Sequence, residues 1–193
     1  MKKRKGSVPL LLGLALIICS LGLMLFFYVR LQVGSADCQK TATALSQMLP
    51  DRAAGIPGSE PDTAMPVLQL EGTDYVALLE IPSLGITLPV ADRWDSSLLS
   101  PARFFGSVYD HTLVIGGADD PRQFGFCDKI DTGVSLTVTD MTGAEFTYRV
   151  TRVDRSKSAD THWLSPQEHD LTLFCRDQFS MDYVAVRCEF AFE

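Results

Sequence analysis

Between residues 67 and 190 the apolar residues fall into short runs, and nothing between them carries the spacing of a helix. The runs read YVALLEI, ITLPV, TLVIGG, VSLTVTD, EFTYRVTRV, DLTLFC and YVAVRCEF. Several alternate apolar and polar residues, the period of a strand with one face buried. Seven or more short strands without long helices bury their apolar faces by closing on themselves or by stacking as two sheets. The expectation is therefore an all-β barrel or sandwich. TDMTGAE (139–145) reads as a glycine-containing turn that joins two strands into a hairpin.

The start of the chain has a different texture. Residues 1–7 carry Lys2, Lys3, Arg4 and Lys5, and residues 8–29 then run for 22 residues without a charge. At about 1.5 Å per residue such a run spans a hydrocarbon core of roughly 30 Å. Basic residues on its leading side predict a cytoplasmic N-terminus and an extracellular remainder. A cleaved signal peptide is the competing reading, but its apolar region is about 7–15 residues long. A retained single-pass anchor fits the longer run better. Residues 30–66 then read as a juxtamembrane helix (31–49) and a linker (50–66) with four prolines and two glycines. Residues 67–193 form the β domain.

Charge and cysteine usage narrow the function. Residues 31–193 hold all 24 acids but only 12 of the 17 Lys and Arg, a net charge of −12. That balance excludes nucleic acid as a natural partner and is compatible with a neutral or cationic peptide. The cysteines, Cys19, Cys38, Cys127, Cys175 and Cys188, are widely and irregularly spaced and do not have zinc-site spacing. The adjacent Asp119 and Asp120 do not alternate as calcium ligands do, so no metal or cofactor is expected.

Several stretches resemble the sortases of Gram-positive bacteria, in order along residues 74–190. LLEIPSLGITLPV (78–90) resembles the family's I-P-x-x-G-x-x-L-P-V strands. ARFFGSVYDHTLVIGG (102–117) is similar to the segment leading to the catalytic histidine. DTGVSLTVTDMTGAEFTYRV (131–150) resembles the strand pair after it, and DLTLF and VAVRC the last two strands. The likeness is nearest to class B-type sortases. It implies a sortase-like eight-stranded β-barrel with short helices, preceded by one N-terminal transmembrane helix. It also implies a cysteine transpeptidase, in which a thiolate attacks the sorting signal, a histidine protonates the leaving amine and an arginine holds the substrate.

At those three positions the chain departs from the family. The histidine follows the V-I-x-G strand end, where this sequence has Ala118. The nucleophile ends a T-L-x-T-C strand; TLFCR puts Cys175 in the threonine's place and Arg176 in the cysteine's. The family form has a separation of 12 between the nucleophile and the cysteine of VRC, as Arg176 and Cys188 have here, against 13 from Cys175. The arginine opens the last strand, where Tyr183 stands; Arg187 follows the V-A-V run and is no clear replacement. The resemblance thus implies a catalytically degenerate, membrane-anchored sortase at the cell surface. Its partners would be a sorting-signal peptide, a surface protein or pilin, or an active sortase. The alternative is an active enzyme with a relocated nucleophile, Cys175, served by His111 or His169. Strand alternation argues against it, because a one-residue offset turns Cys175 to the opposite face. Phe126 and Phe179, bulky where relatives often carry a polar and a small residue, would narrow a groove.

Overall fold

The computed structural model describes residues 7–51, 53–55, 64–94, 100–164 and 169–191. Side chains of its first helix are described over 12–26 and from residue 38 onward. The chain divides into two compact units, Met1–Asp37 and Cys38–Glu193.

One helix, α1 (Ser7–Met48), runs through both the apolar stretch and the segment expected to be a separate juxtamembrane helix. In the first unit its described side chains are exposed and, apart from Ser20, apolar, among them Leu12, Leu16, Ile17, Leu21, Leu25 and Phe26. Among the described residues no helix is long and apolar enough to cross a membrane. Both ends of the expected 8–29 span lie outside the described side chains, as does the whole basic segment 1–7.

In the second unit the expected strands close into a barrel. They are β3 (Thr73–Ile81), β4 (Ile86–Ala91), β5 (Ala102–Phe105), β6 (Leu113–Gly116), β7 (Ser135–Asp140), β8 (Ala144–Ser156), β9 (Leu171–Arg176) and β10 (Tyr183–Phe190). The circuit runs β3–β4–β5–β6–β9–β10–β8–β7 and back to β3, with parallel pairing only at β4–β5 and β6–β9. Two short strands are added outside it: β1 (Ala53–Ala54) lies parallel to β8, and β2 (Leu68–Leu70) antiparallel to β3. Part of the expected linker is thus a strand; residues 56–63 of it lie outside the described residues. The one further α-helix described in this unit, besides the end of α1, is α2 (Thr161–Leu164), between β8 and β9.

Alternation along the strands decides what fills the barrel. Leu171, Leu173 and Cys175 of β9, Val184, Val186 and Cys188 of β10, and Leu113 and Ile115 of β6 all point inward. They meet Phe124, Phe146 and Tyr148 in one continuous core. Phe174, Val114 and Ala185, their neighbours of opposite parity, form a separate cluster outside, with Leu164 of α2 packed on it. On the far side Ala42 and Leu45, near the end of α1, cover Tyr75 and Leu78 of β3. The 139–145 turn is tied down by Asp140, a buried carboxylate. Its Oδ1 accepts from Thr142 N, Thr142 Oγ1 and Ala144 N, and its Oδ2 from the Tyr109 hydroxyl.

Candidate functional site

The parallel β6–β9 pair and the antiparallel β9–β10 pair bring three separate sequence positions to one strand end. Gly116 of β6 is in register with Phe174, and Gly117 N donates to Phe174 O at 3.0 Å. Ala118 and Arg176 each lie two residues beyond that pair. Arg176 is in turn directly opposite Tyr183. Ala118, Arg176 and Tyr183 are therefore neighbours around the open end of β9, although 65 residues of sequence separate the first from the last.

Arg176 is exposed and held. Its Nε donates to Met181 O at 3.2 Å, and its guanidinium carbon sits 5.6 Å from the centre of the Tyr183 ring, a cation–π contact. The six-residue connection that presents it is capped from within. Asp177 Oδ1 accepts from Phe179 N and Ser180 N, and Asp177 Oδ2 pairs with Arg155 at 3.3 Å. The backbone N–H groups of Ser180 and Phe179, and then Arg155, hold the Asp177 carboxyl down at about 2. Gln178 N reaches across to Asp119 Oδ2 at 3.0 Å, stitching this turn to the loop after β6.

Beside Arg176, two residues back on the same face, Phe174 supports an aromatic shelf. The Trp94 ring stacks on Phe174 with centres 5.8 Å apart, and Phe104 meets Phe174 edge-on at 5.4 Å. Trp94 and Phe104 remain 44% and 40% exposed, so the upper surface of the shelf is open to solvent. Gly116 makes the close stacking possible: a Cβ there would clash with the Trp94 ring and lie 2.8 Å from Phe174. The sequence offers one sign of this arrangement, the glycine pair at the end of an otherwise branched strand. The partners of that glycine are not legible in it.

Arg187, on the same outer face, is 3% exposed and fully engaged. Nε donates to Asp154, Nη1 to Thr172 Oγ1, and Nη2 to Trp163 O, with the Trp163 ring 5.0 Å away. It anchors α2 to the barrel and is not available to a ligand.

Cys175 faces the interior and is 3% exposed. Its thiol donates to Phe124 O at 3.7 Å, a carbonyl that also accepts from Cys127 N. The Cys127 thiol is a direct partner of Cys175, and burial first, then that contact, push Cys127 well above the ordinary thiol value. Burial likewise raises Cys188. All three cysteines are free thiols. A cavity of about 80 Å³ reaches Cys175 between Asp119, Asp128, Asp177 and Phe179, room for a few waters and not for a peptide.

The histidines expected to serve a relocated nucleophile lie elsewhere. Leu113 pairs with Leu171, so His111 and His169 flank the beginnings of β6 and β9. Cys175 is four residues along β9 from Leu171, about 13 Å at ~3.3 Å per residue. His111 Nδ1 is 2.9 Å from Asp170 Oδ1, and desolvation, then Arg152 and Arg187, lower the pKa of His169. A thiol–imidazole pair at Cys175 is not assembled. Of Phe126 and Phe179, expected to narrow a groove, Phe179 lines the cavity beside Cys175. Phe126 belongs to the core against Phe124, and Phe179 projects from the β9–β10 turn, 98% exposed. Among the described residues no three His, Cys, Asp or Glu side chains are disposed to hold a metal ion.

No family model matches the sequence, and no curated protein matches it. Solved structures do match the fold. A Clostridium perfringens sortase D5 transpeptidase superposes with a TM-score of 0.55 at 18% identity, over 62% of this chain and 80% of that one. Sortase C1 of Streptococcus agalactiae gives 0.55 at 21% identity, over 65% and 72%. Sortase A of Corynebacterium diphtheriae gives 0.54 at 15% identity, over 84% and 85%. These are class D, C and A proteins; the expected class B-type affiliation rests on the sequence resemblance alone. The likeness, combined with the closed circuit of eight strands, shows that the chain has the sortase fold.

Proposed function

We propose that this chain is a catalytically degenerate sortase, held at the outer face of a Gram-positive membrane by its apolar N-terminal segment. It acts as a peptide-binding or accessory module in anchoring surface proteins or pilins. One observation supports the loss of chemistry above others. The strand end where the sortase resemblance puts the histidine, the nucleophile and the arginine gathers Ala118, Arg176 and Tyr183, while the nearby thiol is turned inward. Groups of this kind act as a unit, and the loss of any one costs several orders of magnitude in rate. Its partners are a sorting-signal peptide, the surface protein or pilin carrying it, or a working sortase.

The test is restoration. The full-length chain and the triple variant Ala118→His, Arg176→Cys, Tyr183→Arg are incubated with sorting-signal peptides, and cleavage is followed by mass spectrometry. The native chain is expected to leave the peptides intact and the variant to give slow hydrolysis. Turnover by the native chain, abolished by Cys175→Ala, contradicts the proposal.

A further inference from the structure

We propose that Arg176 is the anion-recognising element of a site for a peptide that ends in a free carboxylate, its last apolar side chain lying on the Trp94–Phe104–Phe174 shelf. This rests on the reading of the β6–β9–β10 face as a peptide-binding surface and names the ligand class of that surface.

The guanidinium is prepared for an anion. Its Nε is taken by Met181 O and its plane is supported by Tyr183, which leaves Nη1 and Nη2 for a ligand. Among the described residues no carboxylate lies within ion-pair distance of it, unlike Arg103, Arg152, Arg155 and Arg187, each of which has an aspartate. The acids nearest to it are engaged elsewhere or not paired with it. Asp177 is committed to Arg155 and to two backbone N–H groups, and Asp119 accepts from Gln178. Asp182 makes no ion pair with Arg176. An arginine with no acidic partner, in a β domain (67–193) of net charge −10, is a focused positive point on a negative surface. A planar fork of two N–H donors matches the two oxygens of a carboxylate, a geometry that neither a peptide amide nor a side-chain hydroxyl can complete.

Beside that fork, the shelf supplies an apolar contact of defined shape. Phe174 is the same-face neighbour of Arg176 on β9 and lies beneath Trp94, so the shelf begins about 7 Å from the arginine backbone. A terminal carboxylate on the fork therefore leaves the side chain of its own residue within reach of the shelf. An amidated end loses the charge and one of the two acceptors, while its apolar contact is unchanged.

Immobilised full-length chain in detergent is offered two randomised hexapeptide pools, one of free acids and one of C-terminal amides, and the retained peptides are identified by mass spectrometry. The acid pool is expected to be enriched roughly tenfold over the amide pool, with apolar last residues over-represented. Arg176→Gln brings the two pools to parity and Arg176→Lys keeps part of the difference. Trp94→Ala removes the apolar preference and keeps the acid preference. Parity of the pools on the native chain overturns the carboxylate assignment and leaves peptide binding standing. Retention of neither pool overturns both. Apolar enrichment unaffected by Trp94→Ala overturns the placement of the last side chain.

Discussion

Two arginines on one face of the barrel differ in what they hold together, and replacing each with methionine separates structure from function. Arg187 donates three hydrogen bonds, to Asp154, Thr172 Oγ1 and Trp163 O, and is almost fully enclosed. Methionine keeps much of the stem's packing but leaves the Thr172 hydroxyl and the Trp163 carbonyl without their donor, at about 1–3 kcal/mol for each buried orphan. Asp154 is cushioned, because Arg152 remains 2.8 Å from its other oxygen and its side chain is partly solvated. The loss at Asp154 is therefore kept below the ~3–5 kcal/mol of a fully isolated buried charge. A cost of about 2–6 kcal/mol follows, which for a domain of this size lowers Tm by roughly 6–18 °C. Arg176→Met removes one exposed hydrogen bond and a surface cation–π contact, a change within about 1 kcal/mol. Thermal unfolding of the two full-length variants, followed by near-ultraviolet circular dichroism, compares them under one condition. Equal Tm losses, or a larger loss for Arg176→Met, would refute the division between an anchoring and a free arginine.

Three further outcomes follow from the same contacts. Asp140→Ala strips acceptors from the Tyr109 hydroxyl, Thr142 and Ala144, and should destabilise the domain by about 3–5 kcal/mol, with Asp140→Asn recovering more than half; urea titration reads both. The Asp177 carboxyl is held low in the folded chain, so its stabilising effect is present above the ordinary carboxylate pKa and is lost as pH falls toward about 2. Carboxyl NMR should give that midpoint, and a value no lower than that of an ordinary aspartate contradicts the capped turn. Iodoacetamide at mildly alkaline pH should leave Cys127, Cys175 and Cys188 unlabelled until the chain is denatured, because thiols enclosed in the core are out of the reagent's reach. Rapid native labelling confined to Cys175 is the contrary result.

The barrel is legible in the sequence because its information is local and periodic. The run at 144–150 alternates and carries its inward face in the order of its residues, the runs at 75–81 and 183–190 are apolar enough to be buried on both faces, and the strands form where those runs stand. The one-residue offset between Cys175 and Arg176 also has a direct physical reading: alternation puts them on opposite faces, and Cys175 lies in the core while Arg176 is exposed. Other features depend on contacts between distant segments. Nothing local in Trp94 announces that it stacks on Phe174 above Gly116, 22 residues away, and nothing in Asp140 announces Tyr109. The helix α1 is continuous through Gly34 and Ser35, although the sequence suggests separate anchor and juxtamembrane segments. No proline stands between residues 31 and 48 to break it, and a single glycine costs a helix only about 1 kcal/mol relative to alanine. Phe126 and Phe179 are expected along a groove; Phe126 goes into the core, and Phe179 stands exposed at the cavity beside Cys175.

The proposed function takes Cys175, a buried thiol, to be no nucleophile, and intact-mass spectrometry of the full-length chain tests this most directly. The chain is incubated with sorting-signal peptides and rapidly quenched with acid. An unmodified mass is expected at every time point, for the native chain and for Cys175→Ala alike. An acyl adduct that maps to Cys175, is released by hydroxylamine as a thioester is, and is missing from Cys175→Ala would contradict it.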